Sequence, residues 1–333
     1  MPAISRGGGD PVRYHPRVDP LVPEERPLST AAGAPSGGAA LLFFGVLVAL
    51  AIFDALAQRA NPVLGLAWSQ VFTVLVPTLV ATAGANLRAG RYLGLARVEP
   101  LALGLGLLLG FVGYFPAAAL GGLWLRVLPR DLVERFPDVS RLFEGTGPMQ
   151  VTMTVIAIGL APVCEEIAYR GYLQRTLARA LGPGLAIGLG ALLFSARHLD
   201  PLRFAPILFL GVLFGWLSWR AGSLWPSIAA HAANNAVASA FALTGAAESS
   251  ATAAPPGLGA LLAILVAGGA IVVALAYAYR RATPAPPRPE AYAEPRDPLL
   301  PSGPFLPGLV PAAIHLLALV GIVALALLLE GAG

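Results

Sequence analysis

Glu165 and Glu166 are adjacent, and Arg170 follows four residues after the second, in the stretch GLAPVCEEIAYRGYLQ at 159–174. The run leading into them is apolar. Residues four apart on a helix share a face, about 40° apart around the axis. Glu166 and Arg170 have that spacing and can form an ion pair. Glu165 stands about 140° from Arg170 and cannot easily share it. One acid reads as a counter-ion, and the other is left for something else. LLFSARHLDP places Phe194 and His198 four apart, and WPSIAAHAANNAVASAF places His231 and Asn235 four apart, with Asn234 beside them. A glutamate can take a proton from water, and a histidine can position that water or relay the proton. A second histidine and an amide can donate hydrogen bonds to a developing oxyanion. The set suits hydrolysis of an amide or ester bond. Glu165, His198 and His231 are equally the residue types of a catalytic zinc site, which uses three N or O ligands and a water. The HExxH signature of helical zinc proteases is absent. Cys164 is the one cysteine, so an intramolecular disulfide and a cysteine metal cluster are excluded. It reads as a small apolar residue of a buried helix.

These groups sit in a chain that otherwise avoids charge. Hydrophobic residues make up 56% of its 333 residues and charged residues 12%, about half the usual charge of a soluble domain. The composition predicts an all-α polytopic transmembrane bundle, with an eight-helix core and a ninth C-terminal span. Apolar runs of about 20 residues mark the spans. They fall at 39–57, 63–86, 101–125, 150–168, 185–197, 204–219, 224–243, 258–279 and 307–329. The fourth is expected to continue as one helix to about Leu181, where the GPG at 182–184 stops it. Residues 1–38 read as a disordered cytosolic tail, 39–279 as the catalytic membrane domain with its motif-bearing core at 150–243, and 280–306 as a Pro-rich charged linker. His315, near the start of the ninth span, reads as structural or interfacial. All 22 basic residues are arginine. They cluster in the tail, around Arg88, Arg91 and Arg97, at Arg175 and Arg179, at Arg220, and after the eighth span. These groups lie on one side if the N-terminus is cytoplasmic, as the positive-inside rule expects, whereas Arg59 and the arginines of 126–148 fall on the other. Segment 126–148 mixes both signs of charge and reads as a surface-lying amphipathic stretch on the outer side. A charged side chain at mid-bilayer costs about 2.5–3.5 kcal/mol on translocon scales, so Glu165, Glu166 and Arg170 must be paired, hydrated or functional.

The three motifs together resemble the CPBP family, which comprises type II CAAX prenyl endopeptidases, bacteriocin-processing proteins and Abi-like proteins. Its pattern of EExxxR, FxxxH and HxxxN or HxxxD on successive membrane helices stands here as Glu165-Glu166 with Arg170, Phe194 with His198, and His231 with Asn235. The resemblance implies an intramembrane endopeptidase in which Glu165 activates water and His198 assists. It implies that His231 and Asn235 stabilise the oxyanion, while Glu166, Arg170 and Phe194 support the site. A glutamate-type mechanism without a cofactor is favoured over zinc held by Glu165, His198 and His231. Membrane lipid and a membrane-anchored protein or peptide precursor are the expected partners, with no nucleic acid. The expected location is the bacterial inner (plasma) membrane. The competing functions are a proton-coupled transporter and a non-catalytic membrane immunity or scaffold protein.

Overall fold

The computed structural model describes residues 35–85, 87, 89–136, 147–244 and 256–289. The greater part of the expected N-terminal tail, the linker beyond residue 289, and the ninth span at 307–329 with His315 lie outside the described residues. The rest is helical, with no strand among the described residues. Long apolar runs leave the backbone no solvent to bond to, so each must satisfy its own N–H and C=O groups as a helix. Helices α1 (Gly37–Ala60) and α2 (Pro62–Gly84) form a hairpin through Asn61. The Asn61 side chain accepts from the Leu64 amide at 3.0 Å, and Pro62 starts the second helix at a position that needs no N–H. Short α3 (Ala89–Tyr92) leads to α4 (Pro100–Leu125), and exposed α5 (Arg130–Arg135) follows. Part of the segment expected to lie on the surface is thus a short helix. It carries an exposed Asp131–Arg135 pair at 3.3 Å.

Helix α6 (Gly147–Leu181) runs for 35 residues, about 52 Å at 1.5 Å per residue. It exceeds the ~30 Å hydrocarbon layer, so one helix both crosses the apolar zone and emerges from it. It stops at Gly182, whose φ of +77° suits glycine. Helix α7 (Pro183–Arg197) follows, then α8 (Phe204–Ala221), α9 (Trp225–Leu243) and α10 (Leu258–Ala282). Among the described residues, six helical spans are long and apolar enough to cross a membrane: α1, α2, α4, α6, the stretch Pro201–Ala221, and α10. Helix α7 is shorter, and α9 carries polar His231, Asn234 and Asn235.

Two apolar clusters divide the bundle. One gathers α1, α2, α6 and α7 around Phe43, Leu47, Tyr172, Leu173 and Phe194. The other gathers α4, α8, α9 and α10 around Leu109, Phe214, Leu217, Ala230 and Tyr279. At one end, arginines cap helix C-termini. Arg175 donates to the Gly222 carbonyl at 3.0 Å, and Arg220 donates to the carbonyls of Arg280 at 2.9 Å and Thr283 at 2.8 Å. Arg179 reaches the Pro35 carbonyl before α1. Cations at helix C-termini satisfy orphan carbonyls and oppose the negative end of the helix dipole.

The position of α9, and with it His231, depends on glycines in α4. A Cβ at Gly106 or Gly110 would overlap the backbone of Pro226 or Ala230. At Gly104 nothing lies within 4 Å of such a Cβ. Gly110→Val is therefore expected to destabilise the protein by about 1–3 kcal/mol through overpacking, while Gly104→Val is tolerated. Unfolding midpoints of both variants in detergent check this.

Candidate active site

Two prolines shape the backbone around the acids. A proline inside a helix has no N–H, and its ring clashes with the carbonyl four residues earlier. In α6 the turns before Pro162 widen, at Ile156–Leu160, into five-residue hydrogen bonding, with the Ala161 amide bonded to the Ile156 carbonyl. In α2 the same widening occupies Ser69–Leu75, just before Pro77, with the Val76 amide bonded to Val71. A third widened stretch, Ile167–Leu173, carries Arg170 and has no proline to explain it. Such bulges inside α-helices concentrate at functional sites. Here they bracket the single α-helical segment Ala161–Glu166 that holds both acids.

The ion pair expected from spacing is present. Arg170 Nη1 donates to Glu166 Oε1 at 2.8 Å, with the two side chains 2% and 0% exposed. Arg170 Nη2 also donates to the Gly211 carbonyl of α8 at 3.2 Å. The guanidinium lies 4.3 Å from the Phe194 ring centroid and 5.7 Å from that of Phe214. Those rings belong to the two different apolar clusters, so the pair sits at their seam. Phe194 thus supports the arginine through a cation–π contact as well as packing.

His231 joins the two acids. Its Nδ1 is 2.9 Å from Glu166 Oε1 and its Nε2 is 3.8 Å from Glu165 Oε2. A carboxylate oxygen only accepts, so Nδ1 carries the hydrogen of the shorter contact. In the neutral ring Nε2 then presents its lone pair toward Glu165. Phe214 stacks on the imidazole with a centroid separation of 4.9 Å. Glu166 is therefore more than a counter-ion to Arg170, because the same oxygen also orients His231. The sequence pattern assigned it the arginine alone.

Glu165 has no arginine partner among the described residues, and its side chain keeps 14% exposure where Glu166 keeps none. It does accept one hydrogen bond, from Gln70 Nε2 of α2 to Oε1 at 3.0 Å. Sequence reasoning missed Gln70. A lone glutamine in an apolar run has no spacing signal linking it to α6. Sequence reasoning also missed a buried pair beside the site, in which Arg197 donates to Asp54 of α1 and to the Leu47 carbonyl. This pair holds the end of α7 against α1, one residue before His198.

His198 is partly buried. Its Nδ1 bonds the Phe194 carbonyl at 2.8 Å and its ring meets Phe194 edge-on, so Nε2 is the free nitrogen. No direct hydrogen bond joins His198 to Glu165. Asn235 Nδ2 donates to the Ala157 carbonyl at 2.8 Å. In five-residue bonding the donor to that carbonyl would be the nitrogen of Pro162, which has no hydrogen. The asparagine amide supplies the bond instead. One of its two amide hydrogens is thus committed to the backbone. Glu165, His198 and His231 do not form a metal-holding group, and no set of three His, Cys, Asp or Glu side chains does so among the described residues. Glu165 Oε1 meets the Gln70 amide, while His198 and His231 each bond through Nδ1 and leave Nε2 uncommitted.

Residues 147–237 match the family model of Rce1-like type II CAAX prenyl endopeptidases. The matched stretch is similar to the domain of a CAAX-type intramembrane protease, and it contains Glu165, Glu166, Arg170, Phe194, His198, His231 and Asn235, whereas Gln70, Asp54, Leu47 and the widened stretch of α2 lie outside it. No curated protein and no solved structure matches the chain.

Removing one member of the buried pair strands the other in an apolar setting. Arg170→Met is expected to cost about 3–5 kcal/mol, read as a lowered unfolding midpoint. Combining it with Glu166→Gln removes both charges and is expected to recover most of that loss. A double variant no more stable than Arg170→Met would show that packing, not charge, sets the cost.

Proposed function

We propose that the protein is an endopeptidase that hydrolyses a peptide bond within or beside the membrane, using water activated by Glu165, on a membrane-anchored protein or peptide precursor. One observation carries the reading. Of two adjacent acids, Glu166 is sealed and paired with Arg170, while Glu165 keeps access and faces an imidazole. A non-enzyme has little physical reason to hold an arginine-free carboxylate beside an imidazole in an apolar bundle.

In the proposed reaction the water oxygen attacks the scissile carbonyl carbon as Glu165 Oε2 takes one of its protons. His198 Nε2 and His231 Nε2 flank the water. The carbonyl oxygen becomes an oxyanion and accepts from the second amide hydrogen of Asn235, while the neutral His231 ring keeps its Nε2 lone pair toward the water and Glu165. Preorganised donors of this kind supply the largest share of the stabilisation in acyl transfer. The C–N bond then breaks, Glu165 gives its proton to the leaving amine, and a carboxylic acid and an amine are released. No metal enters this sequence. The arginine-capped end of the bundle supports a cytoplasmic N-terminus in a bacterial plasma membrane, by the positive-inside rule.

The full-length protein in liposomes is to be given two internally quenched reporters, a prenylated C-terminal peptide and a single-span apolar peptide with a polar tail. Cleavage of the single-span reporter is expected. Glu165→Gln is expected to lower kcat by at least about 10³-fold with an unchanged unfolding midpoint, in line with loss of a general base. A chelator is expected to leave the wild-type rate unaltered. Retained turnover in Glu165→Gln would exclude Glu165 as the base, and chelator-sensitive turnover would restore the metal alternative.

A further inference from the structure

Helix α2 lies outside the segment that matches the protease family, yet it reaches the proposed base. On its widened stretch, Ser69 Oγ bonds the Gly65 carbonyl at 2.8 Å and Thr73 Oγ1 bonds the Ser69 carbonyl at 2.7 Å, so both hydroxyls donate to their own helix. Gln70 is different. It is 6% exposed, and its Nε2 crosses to α6 and donates to Glu165 Oε1 at 3.0 Å. The terminal torsion of a glutamate is soft and roughly two-fold, so an unanchored carboxylate exchanges its two oxygens freely. A donor on one oxygen ends that exchange. With Oε1 held by Gln70, Oε2 is the oxygen that faces His231 Nε2.

The chemical type of the donor matters. An arginine here would pair the carboxylate with a full positive charge and weaken it as a base, which is the condition of Glu166. A neutral amide fixes the carboxylate while leaving its charge uncompensated. Gln70 Oε1, the other end of the amide, is buried with no partner, so only one of the two amide groups has a bond to account for the burial.

We infer that Gln70 is a positioning residue of the hydrolytic site, which holds Glu165 Oε1 so that Oε2 performs the proton transfer. The inference rests on Glu165 being the base proposed above. Gln70→Met keeps length and volume and removes the donor. In the full-length protein with the cleaved reporter, this variant is expected to lower kcat about 10- to 100-fold, the range for a hydrogen bond to a charged group. KM and the unfolding midpoint are expected to stay unchanged. Gln70→Glu is isosteric and sets two carboxylates against each other. Its kcat is expected to fall further at neutral pH and to recover partly as pH drops, when one shared proton lets the new carboxyl donate to Glu165. A packing role predicts neither the kcat-only loss nor that acid recovery. Wild-type kcat in Gln70→Met, alongside an inactive Glu165→Gln, overturns the inference and leaves the base assignment standing. An active Glu165→Gln overturns both.

Discussion

Everything in the site depends on a guanidinium and a carboxylate shut away from water and bonded to each other. Arg170 and Glu166 retain almost no exposure, so neither has solvent to fall back on. Charges so placed are tolerated only when their remaining hydrogen-bonding capacity is met. The structure meets much of it with the Gly211 carbonyl, two aromatic faces and the His231 ring. The partners come from three other helices: α7 gives Phe194, α8 gives Gly211 and Phe214, and α9 gives His231. The pair therefore sets where four helices meet. Because Phe194 and Phe214 belong to separate apolar clusters, it also joins the two halves of the bundle.

That joint explains why adjacent glutamates behave so differently. Successive residues on a helix point about 100° apart. When Glu166 is turned into the seam, Glu165 is turned toward α2 and the edge of the buried region. The first is neutralised and rigid, and the second is anchored only by an amide. His231 touches both, using one nitrogen for each. A single imidazole so becomes the link between a structural charge and a chemical one. The bundle can thus place a carboxylate in an apolar setting without leaving it either free to wander or silenced by an arginine.

The helical bundle was legible because apolar length dictates helix in a membrane. The span limits read from hydropathy, such as 204–219 and 224–243, fall within a few residues of the observed Phe204–Ala221 and Trp225–Leu243. The GPG stop after Leu181 was equally plain, since glycine and proline act locally. The Glu166–Arg170 pair followed from four-residue spacing, and it forms even though Arg170 lies in a widened turn. Contacts between helices distant in sequence were not legible. Gln70 to Glu165, Asp54 to Arg197 and Asn235 to the Ala157 carbonyl each depend on how helices dock, which no periodicity encodes. The widened turns were also missed, although Pro77 and Pro162 were in view. A proline inside an apolar run announces a disturbed helix, but whether it kinks or widens is decided by the neighbours that accept the freed carbonyls.

Pro162 and Asn235 illustrate a dependence that crosses the bundle. The Ala157 carbonyl lacks a main-chain donor because residue 162 has no hydrogen to give, and the asparagine side chain on α9 fills the gap. An ordinary amide at position 162 would let α6 close its own ladder and make the asparagine redundant there. A missing atom in one helix thus acts as the address at which another helix docks.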